Sequence, residues 1–213
     1  MNLQLALDRM SIPEAVAMAE RVSPYIDWIE AGTSLIKEFG MAGIHALKTA
    51  FPEKVIVADM KTFDNAKYEF ELCYQAGADV ATVMGAAPPV TVGTCMETAE
   101  RFGKEVMIDL LHTTEAQRTA LLQHRKAIFC LHVGKDEQEY SGGRLQTPGF
   151  AGFEGERRIA AAGGITLETL PGLLGIGPSV LIVGSAITGA ADPERAAREL
   201  RRAVDQVKEV KRS

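Results

Sequence analysis

Eight times along the chain a short apolar run ends at a polar residue or a glycine and gives way to a segment of helical spacing. The runs at 3–7, 28–31, 55–60, 79–84, 106–111, 127–131, 158–162 and 180–183 have the length of strands. Helical spacing follows at 15–22, 35–50, 67–76, 90–102, 115–124, 167–174 and 193–210, and is weakest after the sixth run. Alternating strands and helices imply a parallel sheet, since parallel neighbours need a crossover connection. The run Val55-Ile56-Val57 is apolar on both parities, as in a strand buried on both faces. Eight such units favour one (β/α)₈ barrel over residues 1–213, with an open doubly wound sheet as the alternative.

The polar residues of this pattern fall at the carboxyl ends of the strands, where such a barrel keeps its active site. In the third unit Val55-Ile56-Val57 leads into Asp59, Lys61 and Asp64. Strand alternation puts Asp59 and Lys61 on one side. A carboxylate and an ammonium there cost too much desolvation to be idle, so they are read as the floor of a site. Asp8, Glu30 and Asp109 stand at equivalent places, Asp8 sharing a face with Gln4 and Ala6, and Glu30 with Trp28 and Gly32. Converging carboxylates raise one another's pKa unless cations intervene. Lys61 is one such cation, and Mg²⁺, which suits one or two carboxylates plus substrate oxygens, is the natural second. Asp64 stands where the third helix should begin and reads equally as its N-cap or as a functional residue.

Gly163-Gly164 and Gly184-Ser185 follow the last two strands. Glycine lets backbone N–H groups approach an anion, and these loops are the usual phosphate site of the barrel. Of the four histidines, His132 ends an apolar strand directly and is the candidate acid/base, with His112 in reserve; His45 and His124 read as surface residues. The glycine-rich stretch 134–155 reads as a lid, with Lys135 and Asp136 at its root.

The remaining features exclude more than they assign. A formal charge of −5 argues against nucleic acid or an anionic membrane as the main partner. No apolar run is long enough to span a bilayer, and the opening MNLQLALDRM lacks the basic start and apolar centre of a signal peptide. Three scattered cysteines, Cys73, Cys95 and Cys130, form neither a metal pattern nor a disulfide framework and read as reduced core thiols of a cytoplasmic protein.

Taken in order, Leu3–Asp8 (LQLALD), Ile29-Glu30 with Gly32-Thr33, Asp59-x-Lys61-x-x-Asp64, Gly77-Ala78-Asp79, His132 with Asp136 and Gln138, Ala162-Gly163-Gly164-Ile165 and Gly184-Ser185-Ala186-Ile187-Thr188 form one pattern. It resembles the orotidine 5′-monophosphate decarboxylase suprafamily, and within it the 3-hexulose-6-phosphate synthases and 3-keto-L-gulonate-6-phosphate decarboxylases. The resemblance implies Mg²⁺-dependent lyase chemistry on a sugar phosphate through a 1,2-enediolate. It implies that Glu30 and Asp59 hold the metal, that Asp8 and Lys61 touch substrate and intermediate, and that His132 moves the C1 proton. It further implies phosphate binding at Gly163, Gly164, Gly184 and Ser185, and a homodimer in which Asp64 reaches into the neighbour's site. Asp109, where the decarboxylase-like pattern has glutamate, and Ser185, where it tends to have arginine, favour the synthase. Lys135 and the pair Asn65-Ala66 depart from the family pattern. The alternatives are the decarboxylase and a silent sugar-phosphate-binding barrel.

Overall fold

The computed structural model describes residues 1–134, 136 and 157–210. Most of the proposed lid, with Lys135 and Gln138, therefore lies outside the described residues. Eight parallel strands close on themselves in the order β1 to β8. They are β1 (Asn2–Leu7), β2 (Trp28–Ala31), β3 (Val55–Thr62), β4 (Val80–Met84), β5 (Glu105–Asp109), β6 (Ile128–His132), β7 (Arg158–Ala162) and β8 (Val180–Val183). Closure is direct: β1 pairs with β8 through Leu3↔Leu181 and Gln4↔Ile182, which excludes the open sheet.

Alternation along each strand builds two cores. Leu3, Leu5 and Leu7 point outward, with Ile29, Ile56, Ala81, Ile108, Phe129 and Leu181, to pack under the helices. Opposite-parity residues fill the barrel: Trp28, Val57, Val80, Met107, Ile128, Cys130, Ala160, Val180 and Ile182 form its interior cluster. Every strand is thus apolar outward, whereas the inward face turns polar towards the carboxyl end, at Glu30, Thr82, Asp109 and His132. Burying this much apolar side-chain surface stabilises the cylinder at about 25 cal/mol per Å².

The helices begin and stop where local chemistry directs. Helix α1 (Ile12–Val22) starts at a capping box: Glu14 N–H donates to Ser11 Oγ at 3.4 Å, and Ser11 N–H to Glu14 Oε2 at 2.8 Å. The helical pattern at 35–50 is in fact two helices, α2 (Thr33–Phe39) and α3 (Met41–Ala50), separated by Gly40 at φ 60°. A left-handed glycine ends the first, and the apolar spacing, which continues across it, conceals the break. Among the described residues, helices α4 (Ala66–Gln75), α5 (Pro89–Phe102), α6 (Glu115–Leu121), α7 (Leu170–Leu174), α8 (Ser185–Thr188) and α9 (Pro193–Val210) follow. The single turn α8 has no sequence signal beyond the glycine before it. The described residues contain no helix long and apolar enough to cross a membrane. Cys73, Cys95 and Cys130 are free and buried.

Candidate active site

At the carboxyl ends of the strands a cavity of about 730 Å³ opens. Its floor is a charged chain. Lys61 Nζ donates to Asp59 Oδ1 at 3.1 Å and to Asp109 Oδ2 at 2.8 Å. The same Asp109 oxygen lies 2.8 Å from His132 Nδ1, and Asp109 Oδ1 accepts the Leu111 N–H at 2.8 Å. Burial works to raise the Asp109 carboxyl, but His132 and Lys61 outweigh it and hold the group well below the usual carboxylate range. Burial likewise works to lower Lys61, and Asp59 and Asp109 overcome it, so the ammonium persists. An ionised Asp109 only accepts hydrogen bonds, so neutral His132 carries its proton on Nδ1 and presents the Nε2 lone pair.

The backbone is bent to make this contact. Lys61 sits at φ 52°, and the β3–β4 register shifts between Ala58 and Thr62. A bulky residue in the left-handed region is costly, of order 1–3 kcal/mol. Thr82 Oγ1 accepts the Lys61 N–H at 2.8 Å and donates to Asp59 Oδ1 at 3.0 Å, which anchors the bend. From the other side Thr33 Oγ1 donates to Asp59 Oδ2 at 2.6 Å.

Glu30 and Asp59 stand on the adjacent strands β2 and β3 and face the same cavity. Burial, then the charge of Asp59, push the Glu30 carboxyl well above its usual range, with Lys61 opposing and Asp8 adding to the rise. An oxygen-preferring cation would offset that repulsion, and two carboxylates with space for further oxygens suit Mg²⁺. Among the described residues no group of three or more His, Cys, Asp or Glu side chains is arranged to hold a metal alone. The remaining ligands would be substrate or water, as Mg²⁺ commonly has.

Asp8 lines the cavity from β1's end, fixed by Ser34, whose N–H and Oγ donate to its Oδ1 at 3.0 and 2.7 Å. Across the mouth, Gly163 and Gly164, at φ 98° and 59°, line the wall with Gly184 and Ser185, the first residue of α8. Only glycine adopts the two consecutive left-handed conformations cheaply.

The fold thus brings Asp8, Glu30, Asp59, Lys61, Asp109, His132, Gly163, Gly164, Gly184 and Ser185 to one cavity. Asp64 is not among the lining residues. It is exposed, and the α4 N-cap is Asn65, in the left-handed region and making no side-chain cap bond. The cap reading of Asp64 is corrected accordingly: among the described residues its Oδ1 accepts the neighbouring Asn65 N–H, at 2.8 Å, and no N–H of the first helical turn. His112 is exposed in the turn after β5, His45 is exposed on α3, and His124 is half-buried beyond α6. Asp136 is exposed and does not line the cavity. Sequence reasoning gave no role to Thr33, Ser34 and Thr82, the hydroxyls that fix the carboxylates. Their position after a strand's apolar run, or inward on it, was the available signal.

A family model described as orotidine 5′-phosphate decarboxylase / HUMPS family matches residues 1–200. The chain belongs to that family. Among relatives in the family, a 3-hexulose-6-phosphate synthase of Mycobacterium gastri is 38% identical over 206 residues, 96% of this chain and 100% of that protein. The crystal structure of 3-hexulose-6-phosphate synthase from Salmonella typhimurium superposes with a TM-score of 0.89 at 36% identity, covering 97% of this chain and 100% of that one. KGPDC from Streptococcus mutans, solved as a ligand complex, superposes with a TM-score of 0.86 at 27% identity, covering 97% and 98%. The family members it resembles thus carry the names of a synthase and a decarboxylase.

Proposed function

We propose that the protein is a 3-hexulose-6-phosphate synthase, condensing formaldehyde with D-ribulose 5-phosphate to D-arabino-3-hexulose 6-phosphate and running the reverse cleavage. The observation that carries this reading is the Lys61–Asp109–His132 chain on the floor of a cavity walled by the glycine turns. Gly163, Gly164, Gly184 and Ser185 bind the phosphate, and Asp8, braced by Ser34, takes a substrate hydroxyl. His132 Nε2 removes a proton from C1, and the electrons of the C–H bond pass towards the C2 carbonyl. The Lys61 ammonium faces the charge that develops on the enediolate oxygens. Carbon 1 attacks formaldehyde, a C–C bond forms, and the formaldehyde oxygen takes the proton that His132 carries. Glu30 and Asp59 would hold Mg²⁺, which when bound supplies Lewis acidity towards that developing charge.

Decarboxylation of 3-keto-L-gulonate 6-phosphate is the second reading, favoured by the overlap with KGPDC. It shares the enediolate and differs in how the intermediate is made and trapped. Asp109 and Ser185 support the synthase. The purified protein with Mg²⁺ is offered ribulose 5-phosphate plus formaldehyde, or the keto-gulonate phosphate. Formaldehyde consumption supports the synthase and CO₂ release the decarboxylase. Neither, with ligand still bound, leaves a sugar-phosphate-binding barrel.

The reading includes a homodimer in the cytoplasm. Asp64 lies outside its own cavity on an exposed turn beside Phe63, 54% exposed, and Tyr68, 59% exposed. Large apolar side chains exposed together suit a protein interface. A second copy would cover them and receive Asp64 in its site.

A further inference from the structure

Gln4 lies wholly buried in the barrel interior, between Trp28 of β2 and Ile182 of β8 in register. Its Nε2 donates to Glu30 Oε2, while its Oε1 has no hydrogen-bond partner among the described residues. Leaving a buried acceptor unmet costs about 1–3 kcal/mol, and an apolar side chain of similar volume would avoid that cost. The same interior layer is otherwise built of such side chains, so packing does not account for the amide. What the amide supplies is a donor aimed from below at the Glu30 carboxylate.

We infer that Gln4 is a positioning residue for cation binding: from beneath the site it fixes the rotamer of Glu30 and aims that carboxylate at an ion shared with Asp59. The inference rests on the reading of Glu30 and Asp59 as the ligands of a divalent cation. Glu30 makes its one described side-chain hydrogen bond to Gln4, whereas Asp59 is fixed by Thr33, Thr82 and Lys61. Losing Gln4 therefore frees Glu30 to turn and leaves Asp59 as it was. Groups that orient a metal's ligands commonly set its affinity by about 10–100-fold.

The test uses Mn²⁺ as probe on the full chain, with Gln4→Met and Gln4→Leu variants that keep the volume and remove the amide. Free Mn²⁺ is read by electron paramagnetic resonance. The fluorescence of Trp28, the single tryptophan, beside Gln4 in the barrel, gives a second readout independent of turnover. Expected is a Mn²⁺ Kd about 10–100-fold weaker than wild type, with a melting temperature unchanged or raised. Near-UV circular dichroism identifies a folded variant, and either variant alone suffices. Affinity within about twofold of wild type, whatever happens to the melting temperature, overturns the role of Gln4. A wild-type protein that binds no Mn²⁺ overturns the cation reading itself.

Discussion

Asp109 Oδ2 lies 2.8 Å from His132 Nδ1 while also accepting Lys61 Nζ at 2.8 Å. One oxygen therefore ties His132, the proposed base, to the Lys61 ammonium, and it sets which ring nitrogen of His132 is free. Asp109→Asn can still accept from Lys61 through its amide oxygen, but it turns an amide N–H towards the His132 ring and removes the preference for the Nδ1–H tautomer. The expected result is a fall in kcat of about 10²–10⁴-fold. Phosphate-ester affinity should change little, because the glycine wall is untouched. Steady-state kinetics and an equilibrium binding measurement with a non-reacting pentose phosphate check both.

Lys61 separates two carboxylates that are 13% and 4% exposed. Lys61→Ala removes the charge proposed to face the intermediate and leaves Asp59 and Asp109 without the lysine they share. Turnover should vanish. Unpairing a buried ion pair costs about 3–5 kcal/mol, so the midpoint of urea unfolding should also fall. Relief of the left-handed backbone at position 61 is smaller for alanine than for glycine, and Lys61→Gly should unfold at higher urea than Lys61→Ala. Near-normal rates in either variant would remove Lys61 from the chemistry.

Much of this was legible because the barrel writes its plan in two periods. Parity along the strands placed Gln4, Ala6 and Trp28 inside and put Glu30, Asp59 and Lys61 at the mouth, since one-residue slips would bury charge. The bulge at Lys61 was not legible: the residues from 58 to 62 carry no glycine to mark it, and the bend is set by Thr82 on the next strand. Asp64 failed as a cap for a local reason, because Asn65 takes the left-handed conformation that Asx residues tolerate. The hydroxyls of Thr33 and Ser34 were hidden because threonine and serine after a strand also read as an ordinary helix start.

Gly32 is confined by Asp8 rather than by its backbone, whose φ is −66°. A Cβ there would stand 2.4 Å from the carboxylate carbon and from both oxygens of Asp8. Gly32→Ala should keep its melting temperature within a few degrees, since a surface carboxylate can swing away. The displaced Asp8 should lower kcat/KM by roughly 10–100-fold. Kinetics alongside a thermal melt separate this from a general loss of fold.

Asp79 sits where β4 begins and ties the foot of the barrel. It accepts Lys48 Nζ at 2.8 Å, Lys104 Nζ at 2.7 Å and the Ile56 N–H at 2.9 Å. Burial works to raise its carboxyl, but Lys104, Lys48 and the Ile56 amide outweigh it and hold the group below its ordinary value. A carboxyl lowered by folding adds stability above its unfolded pKa, about 3.9, and loses it as pH falls through the folded value. Asp79→Asn should therefore cost about 1–3 kcal/mol at pH 7. That difference should shrink below about pH 4. Urea denaturation of both proteins at neutral and acid pH measures it; a gap that widens with acid would contradict the assignment.

The shared site of the proposed dimer makes its own arithmetic. Asp64→Ala damages the partner's cavity, whereas Lys61→Ala damages its own. Each homodimer alone should then be nearly inactive. Mixed and allowed to exchange subunits, half of the dimers become heterodimers, and each has one cavity with both Lys61 and Asp64 intact. Activity should recover to about a quarter of wild type under isologous twofold symmetry. Should Asp64 act within its own chain, every cavity in the mixture carries one lesion and no recovery occurs. Covering Phe63 and Tyr68 in the interface also requires that Phe63→Glu yield monomers by sedimentation, with catalysis lost because Asp64 no longer reaches a second site.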